Sequence, residues 1–176
     1  MIELLKSRRS IRKYEDREIE KEKLDMLLKS ALLSPSSKGK KCWEFIAITD
    51  KNLLKKLSES KEIGSKFLED APLGIVVIGD KESCDVWVED TSIAATIIHL
   101  TAHSMGLGSC WIQIRERMKN KEEKAGNYVK DLLNIPDKYS VECIISVGYP
   151  AEERKPYDDS ELMYNKLHFN GYDKNR

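Results

Sequence analysis

The sequence predicts a single domain of the α+β or three-layer α/β class. Three observations lead there. Apolar residues recur at helical spacing in several stretches, short β-branched runs lie between them, and no Pro/Gly-rich linker divides the chain. With 176 residues, 40% of them hydrophobic, the chain can bury roughly 70% of its unfolded surface. Residues 1–176 are therefore read as one unit, in which 151–176 form an extended arm.

The elements follow in order. Leu24, Leu27, Leu28, Ala31 and Leu32 keep an i, i+3, i+4, i+7, i+8 pattern, so residues 20–33 read as an amphipathic helix that Ser34-Pro35 stops. Trp43–Thr49 reads as a strand, and Asp50 can cap a short helix carrying Leu53, Leu54 and Leu57. Leu73–Gly79 is apolar without alternation, the pattern of a strand covered on both faces. Residues 86–105 are apolar or small nearly all round, so that helix must be buried centrally or in a subunit interface, with Gly106 as its stop. Ser109–Ile114 reads as a strand and Glu122–Leu133 as a helix. Val141–Tyr149 sets Val141, Cys143, Ile145 and Val147 against Glu142, Ile144 and Ser146, a strand with unequal faces. After Pro150 the chain is charged and aromatic (Tyr157, Tyr164, Phe169, Tyr172), as suits an arm wrapping a neighbouring surface, plausibly a second subunit.

Thirty basic residues offset thirty acidic ones. A polyanion-tracking protein is usually net basic, so nucleic acid is disfavoured as a partner. The basic residues cluster locally, at Lys6–Lys13, Lys38–Lys41 and Arg154-Lys155, which favours a small anion such as phosphate. The longest apolar run, Leu73–Ile78, is far short of the ~20 residues that span a bilayer, and Met1–Ser10 has no signal-peptide apolar region. The expectation is a cytoplasmic protein with no membrane partner. Cys42, Cys84, Cys110 and Cys143 never form CxxC, so neither zinc site nor redox dithiol is expected from their spacing.

Several catalytic patterns are excluded. Gly106-Leu107-Gly108 follows a helix and precedes a strand, the reverse of a dinucleotide fingerprint, and Trp111 occupies the third glycine's place. No phosphate-binding GxxxxGK[ST] or GxSxG elbow is present. His99 and His103 stand one turn apart but lack an intervening glutamate base, and read as core or interface residues rather than metal ligands. Glu152-Glu153 and Asp158-Asp159 read as solvated. No catalytic side chain and no metal ligand is assigned. Arg8-Arg9-Ser10-Ile11-Arg12 stands out, because forked guanidinium donors match phosphate oxygens.

Taken in order, these segments resemble the FMN-dependent nitroreductase family. Arg8–Tyr14 is similar to its "RRSxRxF" segment, and Ser34–Trp43 to its "APSxxNxQPW" loop. Asp70-Ala71-Pro72, Gly106-Leu107-Gly108 and Gly148–Glu152 fall in matching places. The departures are Gly39 for asparagine, Lys41 for glutamine, Cys42 for proline and Tyr157 for arginine.

The resemblance implies an α+β, nitroreductase-like three-layer α-β-α sandwich. Its sheet would be mixed but mostly antiparallel, and the C-terminal arm would be exchanged in a homodimer with two FMN sites. By position it implies that Arg8, Arg9, Ser10 and Arg12, with Arg154 and Lys155, hold the phosphate and ribityl. Pro35, Ser36, Ser37 and Gly39 would reach the flavin from the partner. Trp111, Ile112 and Gln113 would line the ring, with a backbone N–H near Gln113–Ile114 facing N5. The implied activity is ping-pong hydride transfer from NADH or NADPH through FMN to a nitroaromatic, quinone or similar acceptor. The alternatives are a flavoprotein of the same fold performing reductive dehalogenation or flavin fragmentation, and a small nucleic-acid-binding module with steep salt dependence.

Overall fold

A computed structural model describes residues 1–172. The elements are α1 (Ile2–Ser7), α2 (Lys21–Leu32), β1 (Trp43–Ile48), α3 (Lys51–Ser58), β2 (Leu73–Asp80), α4 (Trp87–Ser104), β3 (Gly108–Gln113), α5 (Ala125–Leu133) and β4 (Tyr139–Gly148). The strands form one sheet in the order β1-β2-β4-β3. All its ladders are antiparallel, and among the described residues the parallel component expected of a mixed sheet is a single bridge, Ser10 to Ser109.

Helices cover both faces, giving three layers. On one face Val76, Ile78, Ile112 and Ile144 pack with Leu54 and Leu57 of α3 and Val129 of α5. On the other, Ile75, Val77, Cys143 and Ile145 pack with Leu27 and Ala31 of α2 and Ala95, Ile98 and Ala102 of α4. This double cover corrects the unequal faces expected of β4: residues 141–148 are all buried, including Glu142 and Ser146. Val77 pairs with Cys143 but Ile78 with Val141, so Glu142 is the extra residue of a β-bulge.

Local chemistry sets the element ends. Asp50 accepts the Leu53 N–H at 2.8 Å and caps α3 as its sequence indicates. Gly106, at φ +76°, takes the left-handed conformation that ends α4. The helix expected from Glu122 begins only at Ala125, because the Asn120 side chain accepts the N–H groups of Glu122 and Glu123 and holds them in a turn. α1 escaped sequence reading because six residues are too few to show a period.

The N-terminal segment is locked across the ends of β3 and β4. Ile11 N–H donates to the Ser109 carbonyl at 3.0 Å. The Tyr14 hydroxyl lies 2.7 Å from both the Ile11 carbonyl and Ser146 Oγ. This contact needs glycine on both strands. A Cβ at Gly108 would come within 2.8 Å of Ile11, and one at Gly148 within 2.6 Å of Pro72 and 2.8 Å of Tyr14. The arm beyond Pro150 is exposed, with Leu162, Met163, Tyr164, Leu167 and Tyr172 open to solvent; its last four residues lie outside the described ones.

Gly148→Ala is expected to lower unfolding free energy by about 1–3 kcal/mol in urea titrations. Gly126→Ala, whose Cβ meets nothing within 4 Å, is expected to raise it by about 0.4–1 kcal/mol. Equal effects would contradict the close approach at Gly148.

Candidate active site

Arg8, Arg9, Ser10, Arg12, Arg154 and Tyr157 line a polar cleft of about 240 Å³ at the sheet end where the N-terminal segment crosses β3. Its guanidinium groups are brought together by structure, not by sequence proximity alone. Arg9 donates to the Lys155 carbonyl and lies 4.4 Å over the Tyr157 ring, which ties the arm to the first residues of the chain. The Arg12 N–H donates to Glu152 Oε1 at 2.6 Å, and this bond chiefly holds the Glu152 carboxyl below its usual range. Arg154 pairs with Glu152 at 2.7 Å. Among the described residues, Arg8, Arg9 and Arg12 have no carboxylate partner within ion-pair distance. Four arginines around one carboxylate leave a net positive cleft suited to a multiply charged oxyanion, with the Arg12 guanidinium 5.8 Å from the Phe67 ring centre. Lys155 contributes its carbonyl rather than its side chain to this arrangement, so Arg154 is the residue of the pair that lines the cleft.

Further along β3 the backbone faces two ways. The Ile114 N–H donates to the Glu142 carbonyl at 3.1 Å. By the alternation of an antiparallel ladder, Trp111 and Gln113 then direct their N–H groups away from β4, along the free sheet edge. The donor expected near Gln113–Ile114 therefore narrows to Gln113. The Ile112 side chain is buried in the cluster facing α3 and α5, while Trp111 packs on the α4 side, so Ile112 offers an edge ligand no side-chain contact.

Sequence reasoning missed the polar network that fixes this edge. Glu142 pairs with Arg115 at 3.0 Å and accepts from Gln113 Nε2 at 3.2 Å. Gln113 Oε1 in turn accepts the Trp111 indole N–H at 2.8 Å. The indole stacks against His99 with ring centroids 6.4 Å apart. His99 Nδ1 lies 2.7 Å from Ser109 Oγ, and His103 Nε2 lies 2.8 Å from Ser7 Oγ. Both histidines thus join elements together, as core residues do. Only Glu142, a charged residue within an otherwise largely apolar strand, hinted at any of this in the sequence.

Pro35, Ser36, Ser37 and Gly39 are elsewhere. The Ser37 N–H donates to both Asp90 carboxylate oxygens at 3.0 and 3.1 Å, pinning the loop to the first turn of α4. The arginines lie by the last turn, where Ser7 meets His103. His103 stands thirteen positions after Asp90 on this helix, about 20 Å along the axis. One chain therefore keeps its two expected half-sites at opposite ends of α4.

An antiparallel sheet between helical layers, with an arginine-lined cleft at one edge, defines a small α+β protein with a cationic site beside its sheet. The sequence profile described as "Nitroreductase family" matches residues 5–61 and 58–149. An FMN-dependent nitroreductase from Clostridium difficile R20291 is 58% identical, with a TM-score of 0.97 over 98% of this chain and 100% of that one. A protein of Archaeoglobus fulgidus, provisionally named NADH dehydrogenase/NAD(P)H nitroreductase, is 36% identical over 172 residues, 95% of each chain. The FMN reductase (NADPH) of Bacillus subtilis is 26% identical over 191 residues, 96% of this chain and 74% of its own. The chain belongs to the nitroreductase family of oxidoreductases. No helix among the described residues is long and apolar enough to cross a membrane.

Burial, and then the nearby Arg8 charge, lower the His99 pKa to about 4. Between pH 6.5 and 4 the unfolded chain takes up a proton at this site that the folded chain refuses, so acidification destabilises the fold. The contribution is present above 6.5 and lost by about pH 4, roughly 3 kcal/mol in total. Urea titrations from pH 7 to 4 are expected to show a steeper loss in wild type than in His99→Gln. Parallel curves would remove His99 as the source.

Proposed function

We propose that this chain is an FMN-dependent NAD(P)H oxidoreductase of nitroreductase type, acting as a homodimer. The observation that carries the reading is the cleft of Arg8, Arg9, Arg12 and Arg154, three of them without a carboxylate partner, at one end of a sheet edge. A phosphate group fits its size and charge. Gln113 lies four residues beyond Ser109, about 13 Å along the strand, which leaves room for a ribityl chain before a planar ring meets the Gln113 N–H. The printed names of the Clostridium and Bacillus relatives, FMN-dependent nitroreductase and FMN reductase (NADPH), support the cofactor and the reductant.

FMN held by the arginine cleft would supply the chemistry of ping-pong hydride transfer from NADH or NADPH to an electron-poor acceptor such as a nitroarene or quinone. The protein's part is to bind and orient. The arginines and Ser10 neutralise and position the phosphate. The Gln113 N–H offers a fixed donor at the edge, held in place because Glu142 and Trp111 occupy both ends of the Gln113 amide. His99 stays neutral at physiological pH and supports the indole by stacking, so the mechanism asks no acid or base of it.

The separation of the two expected half-sites supports dimerisation. A two-fold copy packing α4 antiparallel to itself would bring the loop of one chain to the arginines of the other. Ile93, Ile97 and Leu100 of α4 form a stripe not fully covered within one chain, and the two helices that touch α4 add exposed apolar residues, Ile2 and Leu5 on α1 and Leu32 and Leu33 at the end of α2. The aromatic arm supplies further surface for the partner.

Purified protein is expected to show flavin absorbance that bleaches on anaerobic NADH or NADPH and returns on addition of a nitroarene or quinone. A colourless protein that takes up no added FMN would overturn the reading; bleaching reversed only by a halogenated aromatic would transfer it to dehalogenation. Arg12→Ala is expected to weaken FMN binding about 10–100-fold with the fold intact by circular dichroism.

Mixed dimers test the shared site. One chain carries Arg12→Ala and the other Pro35→Glu, at an exposed position of the loop. If each site combines the arginines of one chain with the loop of the other, half the sites in the heterodimer are intact. Flavin content near that of either mutant homodimer would mean that each chain builds its own site.

A further inference from the structure

A second group of side chains, of the types that ligate metals, lies under loop 36–41, away from the arginine cleft. Cys42 immediately precedes β1, Cys84 lies between β2 and α4, and Asp90 is in the first turn of α4. The Cys42 and Cys84 sulfurs stand 3.4 and 3.9 Å from Asp90 Oδ2, and the three ligand atoms lie within 4.8 Å of one another. All three residues are buried, with 5%, 2% and 3% of their surface exposed.

We propose that Cys42, Cys84 and Asp90 form a binding site for a divalent cation of the zinc class, with water in the fourth position. Zinc bonds of about 2.3 Å to sulfur and about 2.0 Å to oxygen, in tetrahedral geometry, set sulfur and oxygen about 3.5 Å apart. The two sulfur–oxygen separations fall within a few tenths of an ångström of that value. Two thiolates and one carboxylate suit a borderline-soft dication better than calcium or magnesium, which take oxygen ligands. On binding, two S–H protons pass to solvent as two metal–sulfur bonds form, and nothing is oxidised or reduced.

The surroundings fit a metal site in two further ways. Asp90 is oriented from outside the group by the Ser37 N–H, which touches both carboxylate oxygens. The Lys40 ammonium donates to the Ser83 carbonyl at 2.6 Å next to Cys84, placing positive charge beside a site that would carry net negative charge once filled. Lys40, Lys41 and Ser83 are themselves exposed, so an ion has a short path inward. A bound ion would cross-link β1, the β2–α4 connection and α4.

The test uses the full chain, chelator-treated, loaded with Zn²⁺ and desalted, with metal and flavin measured on the same samples. About one zinc ion per chain is expected in wild type and in Cys110→Ser, a buried thiol outside the group, and at least about tenfold less in Cys42→Ser and Cys84→Ala. Co²⁺ is expected to give tetrahedral visible bands at wavelengths beyond the flavin absorption, lost in the same variants. Circular dichroism identifies a variant that fails to fold, and Asp90→Asn then serves in its place. Wild type that retains no zinc, or Cys84→Ala that retains as much as wild type, would overturn the proposal. So would a denatured, air-free chain that titrates only two of its four thiols, since the pair would then be a disulfide. Flavin content reads the proposed oxidoreductase function separately, so either proposal can fail alone.

Discussion

The close approach of residues 8–14 to the ends of β3 and β4 governs the rest of the molecule. Without a side chain at Gly108 or Gly148, the segment settles against the strands, and Tyr14 buries its hydroxyl between the Ile11 carbonyl and Ser146. Burial raises the Tyr14 pKa, which keeps the hydroxyl protonated and able to donate. The arginines on either side of Ile11 are then presented to solvent at a fixed edge. Arg9 is restrained by the Tyr157 ring and the Lys155 carbonyl, while Arg154 and the Arg12 backbone N–H share Glu152. A flexible basic tail would instead let the charges spread apart.

A second constraint is the double cover of the sheet. It requires polar groups on β4 to find partners inside the protein, since no face of that strand meets water. Ser146 does so through Tyr14. Glu142 does so at a bulge, where the ladder is already interrupted, by reaching Arg115 and Gln113. A buried carboxylate is costly unless paired, so this one restrains its partners strongly. The rigidity reaches Trp111 through Gln113, and the indole sits on a histidine that burial keeps uncharged. The edge of β3 is thus set from its back by the core.

Much of this was legible in the sequence where the signal is local. Strand and helix positions agree to within a few residues, because continuous apolar runs and helical periods need no tertiary information. The arginine run was legible because spacing within five residues restricts where those charges can go. Contacts between distant residues were not. Glu142 read as the polar side of an alternating strand, since one sequence does not show a second helical layer. Cys42 and Cys84 gave no spacing signal at 42 residues apart, and Tyr157, which read as a missing arginine, is the ring beneath Arg9. The start of α5 was misplaced because a single asparagine side chain competes for the N–H groups of the first turn.

The link from Arg9 to the Lys155 carbonyl spans 146 positions of the chain. During synthesis the arginines therefore leave the ribosome 146 residues ahead of the segment that restrains Arg9. Closing so large a loop is entropically unfavourable until the sheet between has formed, so this contact is expected late in folding. Until then the nascent chain displays an unrestrained cationic run next to ribosomal RNA, and the run is tied down only when β4 and the residues that follow it have emerged.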